Sequence, residues 1–340
     1  MRSIVYSHTG DPDVLQLVER ELPEPAVGEV RVRIAVSGVN PTDWKSRQGS
    51  APGQPMPFAE VVPNQDGAGT IDAVGGAVAG FAIGDRVWTA LAAYQLARGG
   101  TAQEFAILPA ERVYALPDFA SFDIGASLGV PAMTAHRALT VSEDGPSSLS
   151  PGALAGKCVL IAGGAGAVAH AAIQLARWAG AMVITTVSGD AKAILATAAG
   201  AHHVVNYRES DAAVEIRAIV PDGVDLIVEV APAQNAELNA KVIRNRGSIS
   251  VYASTDEPLS LDIRALMIAN VRYQFQLLYT TPQSDLDAAA HDIAAALADG
   301  ALAVGEQAGL PLHRFDLEHA AAAHAAVEAN AVGKVLIDVA

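Results

Sequence analysis

From Val27 to Val36 the chain alternates, with Val30, Val32, Ile34 and Val36 set against Glu29, Arg31, Arg33 and Ala35. That period of two is the mark of a strand with one buried face. Turn residues follow at short intervals, at Gly38, Gly49, Pro52-Gly53, Pro55, Pro57, Gly67, Gly69, Gly75-Gly76, Gly80, Gly84 and Gly99-Gly100, with short β segments at 69–74, 86–90 and 104–108 between them. No helix-period run of useful length occurs before Ser121, so the first third reads as an all-β unit, a small barrel or curled sheet.

Near Phe122 the period changes. Apolar spacing turns helical from Ile124 to Leu139, interrupted by Pro131, and a polar, Pro/Ser-rich segment runs from Ser142 to Pro151. Strands at 182–187, 203–205, 224–230 and 248–252 then alternate with helices at 191–199, 212–220 and 234–243. This alternation predicts right-handed βαβ crossovers and a parallel sheet with both faces covered. A strand at 271–278, Ala-rich helices at 286–298 and 317–329, and a closing strand at 334–339 complete the chain.

At the head of the alternation stands Lys157 to Ala176, a β-branched strand, a run of residues with little side chain, and an Ala-rich helix with apolar positions at Val168, Ala171, Ala172 and Leu175. Counted from Gly164 it reads G-x-G-x-x-A, with Gly166 second and Ala169 third. Such a turn is either purely structural or a cradle for a pyrophosphate, because missing side chains let the backbone approach and the helix N-terminus faces the anion. The βαβ context favours the cradle. A barrel, a nucleotide sheet and a return segment predict one domain over 1–124 and 271–340 and a dinucleotide-binding domain over 125–270, with ligands in the cleft between them.

Composition narrows the class of protein. The chain has 340 residues, 51% hydrophobic and 17% charged, a folded composition of two-domain length. Its formal net charge of −15 argues against nucleic-acid binding, which draws on basic residues. Cys158, the single cysteine, lies in the apolar strand before the glycines, which predicts an intracellular protein without disulfides or structural zinc. The N-terminus has no signal-peptide core and no stretch suits a bilayer span, so a soluble, cytoplasmic protein is expected.

A set of short motifs then points to a family. Val39-Asn40-Pro41-Thr42-Asp43, Asn64-Gln65-Asp66-Gly67-Ala68-Gly69, Gly84-Asp85-Arg86-Val87, Gly100-Thr101-Ala102-Gln103-Glu104, Leu128 to Ala135 and Val205-Asn206-Tyr207-Arg208 stand in one order. In that order and spacing the chain resembles the medium-chain dehydrogenase/reductase superfamily, and within it the zinc-free, zeta-crystallin-like quinone oxidoreductase branch. The resemblance implies an α/β architecture, an N-terminal GroES-like β-barrel domain plus a Rossmann doubly wound parallel sheet. Zinc enzymes of the superfamily carry Cys where this chain has Asn40 and His where it has Gln65, so no metal is expected.

The resemblance implies NADPH as cofactor. The second strand of the nucleotide fold ends Thr186-Val187-Ser188-Gly189, a hydroxyl where an acidic residue would select NAD, and Lys192 follows. By resemblance Ser188, Lys192 and Tyr207 contact the 2′-phosphate, while as bare residues Ser188 reads as a helix cap and Lys192 as a solvated helix lysine. Asp190 is a counter-signal. Gly164, Gly166, Ala167 and Val168 would hold the pyrophosphate, with Ala167 and Ala169 standing where the family usually has glycine. Ala231, Tyr252 and Lys334 complete the expected cofactor set.

For chemistry, hydride transfer to a quinone or enone develops charge on a carbonyl oxygen, which a neutral donor stabilises. By resemblance Asn40 is that donor and Thr134 lies on the nicotinamide side. Lys45 stands where many relatives have Tyr, as a charged donor or turned to solvent. Tyr252 and Tyr279 are placed to shape the acceptor slot. The expected activity is NADPH-dependent reduction of small-molecule quinones or other α,β-unsaturated carbonyls, the alternatives being an enoyl reductase dedicated to one biosynthetic intermediate, or a catalytically idle NADPH-binding sensor. A homodimer through the apolar 271–278 edge is also expected.

Overall fold

The structure is a computed structural model and describes residues 1–49, 55–254 and 257–339; the expected Pro52-Gly53 turn lies outside them. The chain divides into two compact units, 1–130 with 312–340, and 131–311.

The first unit opens with β1 (Arg2–Val5), β2 (Gln16–Glu19) and the long β3 (Glu29–Val39), followed by α1 (Pro41–Gln48), β4 (Asp66–Val74), β5 (Arg86–Thr89), β6 (Phe105–Pro109), β7 (Val113–Ala115) and α2 (Phe122–Gly125). Helix α3 (Gly129–Thr140) carries the chain across the boundary between units. The second unit runs β8 (Cys158–Ile161), α4 (Ala167–Trp178), β9 (Met182–Val187), α5 (Asp190–Ala199), β10 (His203–Asn206), α6 (Ala212–Ile219), β11 (Val224–Glu229), α7 (Pro232–Val242), β12 (Ile243–Val251), α8 (Ile263–Ile268), β13 (Arg272–Phe275) and α9 (Gln283–Ala298). The chain then returns to the first unit with β14 (Leu312–Asp316), α10 (Ala320–Glu328) and β15 (Lys334–Asp338).

Among the described residues, the first unit's main sheet has the order β14-β15-β3-β4-β5-β7, with β6 also on β3. Strand β3 organises it. One edge pairs with β4 along its length, and the other is shared, by β6 over Glu29–Arg33 and by β15 over Val36–Val39. The apolar half of the expected alternation holds, since Val30, Val32 and Ile34 are fully buried with Ile71, Val87, Leu108 and Ile337, but Arg31 on the other face is buried too, held by Asp72 and Glu24. Each such side chain contributes about 1.5–3 kcal/mol when taken from water. Register shifts near Val32 and Ile34 bend the strand, and Gly69 meets it there at a point where a Cβ would stand 1.9 Å from the Arg33 carbonyl oxygen.

The second unit's sheet is wholly parallel, in the order β10-β9-β8-β11-β12-β13. Numbered within the unit that is 3-2-1-4-5-6, the doubly wound dinucleotide order, with its switch point between β8 and β11. All four residues of β8 are buried, as a sheet covered on both faces requires.

Two expectations need correction. Helix α1 lies in the third expected to be all β; its buried residues are Asp43 and Arg47, so it carries no apolar period to read. The second boundary falls at Pro311–Leu312 instead of 270, because β13 extends the parallel sheet beside β12 and α9 buries Leu286, Ala289, Ile293 and Leu297 in the same unit.

Candidate active site

In the second unit, β8 ends in the glycine turn. Gly163 has φ +72°, a left-handed conformation that glycine adopts without strain, and its N–H and that of Gly164 bond to Thr186 of β9. A Cβ on Gly164 would stand 2.3 Å from Thr185 Oγ1, which itself donates to the Ile161 carbonyl at 2.6 Å. Gly166 caps α4, and the first helical bond runs from His170 N to Gly166 O, so the amides of Ala167, Val168 and Ala169 are those that helix geometry leaves for an anion. Ala167 and Ala169 are ordinary helical residues, and the buried Ala169 methyl fits where a glycine was expected. No acidic residue lies in the first turn of α4.

At the end of β9, Lys192 Nζ donates to Ser188 Oγ at 3.0 Å. Tyr207, half exposed, follows β10 and its N–H bonds the Val187 carbonyl, so the structure brings Ser188, Lys192 and Tyr207 to neighbouring strand ends. Asp190 sits exposed at the start of α5. One strand over, β11 ends in a buried carboxylate that sequence reading missed. Glu229 accepts from the Ala231 N–H at 2.6 Å, from Asn235 Nδ2 at 2.9 Å and from Asn239 Nδ2 at 2.6 Å. The Ala231 carbonyl in turn accepts from Asn235 N, so both backbone groups of Ala231 are already hydrogen-bonded. Burial and the Glu229 carboxylate together push the Tyr252 phenol far up, which keeps it neutral. Thr134 is buried on α3, its carbonyl facing Gln276 Nε2 at 3.5 Å.

The first unit holds a separate polar cluster, set by the register of β15, β3 and β4. Leu336 and Asp66 both lie opposite Gly38, and Val335 lies opposite Val39, which puts Lys334 against Asn40. Asn40 Nδ2 donates to Asp66 Oδ2 at 2.7 Å, and Lys334 Nζ donates to Asn40 Oδ1 at 2.7 Å and to Asp66 Oδ2 at 3.2 Å. Asp66 Oδ1 accepts from Val130 N at the start of α3 at 2.7 Å. Asn40, Asp66 and Lys334 are 2%, 0% and 1% exposed. Burial pushes the Asp66 carboxyl up, opposed by Lys334, the Asn40 amide and the Val130 N–H. Asp43 accepts from Asn40 N and Gln65 N, yet burial and the nearby Asp66 charge push its carboxyl up to about 8. Beside Asp43 and Gln65 is a cavity of about 290 Å³ walled by Tyr6, Phe58, Val61 and Tyr94.

A buried hydrogen-bonded chain backs this cluster. His324 bonds Asn64 Oδ1, Asn64 Nδ2 donates to Ser37, Ser37 bonds Thr101, and Thr101 donates to the Asp66 carbonyl. Burial and the neighbouring Arg47 push His324 down to about 3, so it is neutral.

Two expected site residues are placed elsewhere. Lys334 belongs to the Asn40–Asp66 cluster and not to a phosphate pocket, because its ammonium is buried and committed there. Lys45 lies on the exposed face of α1 with Nζ 5.7 Å from its own neighbour's ring, Trp44, so it takes the solvent alternative.

Residues 26–118 match the family described as alcohol dehydrogenase GroES-like domain, and residues 167–295 that described as zinc-binding dehydrogenase. The quinone oxidoreductase of Lama guanicoe is 31% identical over 342 residues, 99% of this chain and 97% of that protein. The chain belongs to the quinone oxidoreductase branch of the medium-chain dehydrogenase/reductase superfamily. A mycobacterial protein solved with NADPH superposes on it with TM-score 0.81 at 28% identity, covering 99% of both chains. An NAD-dependent alcohol dehydrogenase superposes with TM-score 0.84 at 27% identity over 100% of both. The chain is therefore an oxidoreductase of nicotinamide type.

Its donors do not match those of the superfamily's zinc enzymes. Asn40 is held by Asp66 and Lys334, Gln65 Oε1 accepts from Ala93 N at 3.1 Å, and an ammonium stands in the cluster where a cation would have to sit. Cys158 is buried in β8, its thiol pushed up to about 12 by burial and Asp225. A nicotinamide dinucleotide fits the second unit better: an open glycine turn, a twelve-residue helix behind it, and a lysine and hydroxyl at the next strand end.

Proposed function

We propose that this quinone oxidoreductase homologue reduces quinones or other α,β-unsaturated carbonyls with NADPH by hydride transfer that uses no metal. The observation that carries this reading is the Asn40 amide, a neutral donor held between Lys334 and Asp66. The cofactor supplies the hydride when bound. The chain's own residues do the rest: the α4 amides and Gly163–Gly166 seat the pyrophosphate, Lys192 and Ser188 favour the 2′-phosphate, and Asn40 stabilises charge on the acceptor oxygen. The aromatic walls of the cavity beside Asp43 suit a planar acceptor.

The reading predicts oxidation of NADPH by a panel of quinones and enones, followed at the nicotinamide absorbance. Turnover of none of them, with NADPH tightly bound, would leave a cofactor-binding protein without the proposed activity. Activity confined to acyl thioesters would indicate a dedicated enoyl reductase.

A further inference from the structure

An asparagine amide looks nearly the same in either orientation, but its two neighbours here leave one choice. Lys334 has only donors, and a carboxylate has only acceptors. Oδ1 must therefore face Lys334 and Nδ2 must face Asp66, as observed at 2.7 Å each. A flipped amide would set NH₂ against an ammonium and C=O against a carboxylate. One Nδ2 hydrogen goes to Asp66; the other is the single donor the amide has left.

The partners are pinned in turn. Gly38 leaves room for the lysine, since a Cβ there would stand 3.1 Å from Lys334 Nζ and 2.1 Å from the Ala126 carbonyl oxygen. Gly129 does the same for the carboxylate, as a Cβ there would stand 2.2 Å from Asp66 Oδ1. The ion pair cancels its own charge, so it adds no net repulsion toward an anion forming on an acceptor. Lys334 also draws electron density through the amide carbonyl, which strengthens the remaining N–H as a donor.

We propose that Lys334 and Asp66 are positioning residues that hold Asn40 as a polarised donor and thereby set how well the enzyme reduces enones relative to quinones. The inference rests on the function proposed above. In an enone the β-carbon takes the hydride, the C=C π pair shifts so that charge gathers on the carbonyl oxygen as an enolate, and a proton from water gives the saturated ketone. The nicotinamide leaves oxidised by two electrons. A quinone takes one hydride and one water proton to become a hydroquinone, and its higher electron affinity makes it less dependent on a donor at oxygen. Loss of the clamp therefore costs enones more.

The test compares wild type with Lys334→Met/Asp66→Asn, which removes both charges together, and with Lys334→Gln/Asp66→Asn, which keeps neutral hydrogen-bonding groups at both places. Asn40→Ser leaves the Lys334–Asp66 pair in place and serves if either double variant fails to fold. For the Met/Asn variant the enone-to-quinone ratio of kcat/KM falls by about tenfold or more, the scale on which a charge-assisted hydrogen bond counts. The Gln/Asn variant recovers part of that ratio, and Asn40→Ser loses it. The NADPH Kd and the NADPH-to-NADH preference stay within about twofold of wild type in all three, since each variant keeps Ser188 and Lys192. An equal loss on both acceptors, or an unchanged ratio in Asn40→Ser, overturns the inference. A selective loss of NADPH affinity would return Lys334 to the phosphate pocket. Wild type that turns over neither acceptor class would instead defeat the proposed function itself.

Discussion

Lys192 and Ser188 stand 3.0 Å apart at the end of β9, with no acidic residue between the strand and its lysine except the exposed Asp190. Lys192→Ala should lower the preference for NADPH over NADH by roughly 10–100-fold, the size of a lost charge-assisted hydrogen bond, with kcat little changed. Fluorescence titration with both cofactors checks it, and an unchanged preference removes Lys192 from the phosphate pocket. These two residues were legible in the sequence because β9 and the start of α5 are contiguous in it. The Asn40–Lys334 contact is not legible in the sequence: it spans most of the chain and exists only because β15 pairs with β3 in one particular register. Glu229 was missed for a related reason. Its partners Asn235 and Asn239 lie on α7, where they read as ordinary polar helix positions.

Among the elements, those with a strong period were read closely. Strand β9 matched its expected span, and β10, α5 and α6 differed by one residue at an end. Helix α1 escaped because its inward face is charged, yet it carried another signal. Asn40-Pro41-Thr42-Asp43 places Pro at the first helical position and an acid at the third, and Asp43 does return to the Asn40 N–H. The 271–278 pattern predicts a strand, but β13 joins β12 of the second unit instead of returning to the first, since an edge strand's own pattern does not say which sheet it joins. The glycine turn yields a prediction at this scale. Gly164→Ala forces a methyl against Thr185, whose hydroxyl is already bonded to Ile161, so stability should fall by about 1–3 kcal/mol and NADPH binding should weaken with it. Thermal denaturation with and without NADPH checks this; an unchanged Tm would show that the turn has slack the structure does not display.

For the whole molecule, buried histidines and buried carboxyls shift the pH response in opposite directions. His170 is pushed down to about 4 by burial and His324 to about 3 by burial and Arg47, from 6.5. The folded protein then holds fewer protons than the unfolded chain below about 6.5, and stability falls as the pH drops through that range. Asp43 is raised to about 8 from 3.8, so the folded state holds more protons and stability falls as the pH rises toward 8. Each group contributes a slope of about 1.4 kcal/mol per pH unit. Burial raises the Asp66 carboxyl as well, so on the acid side the two carboxyls oppose the two histidines, and above about 6.5 only the carboxyls of these four groups still act, which predicts stability that declines between pH 6.5 and 8. Urea denaturation across pH checks it, and Asp43→Asn should flatten the decline between 6.5 and 8.

The second unit also leaves Ile263, Met267 and Ile268 of α8 and Phe275 and Leu277 at the β13 edge exposed. A single-copy protein rarely leaves such a patch and an open strand edge uncovered, and the homodimer proposed from the sequence would cover both. Sedimentation should give about twice the 34.9 kDa chain mass, and Phe275→Asp should shift it toward the single chain. Among the described residues no helix is long and apolar enough to cross a membrane.

Hydride transfer to an unsaturated carbonyl is the central claim, and isotopic labelling tests it most directly. The enzyme is given an enone and NADPH deuterated at nicotinamide C4 on one face, then on the other, and the product is read by mass spectrometry and NMR. The account predicts deuterium at the β-carbon of the saturated ketone from one face only, with the α-hydrogen taken from solvent. Product without label at the β-carbon from either face would contradict it.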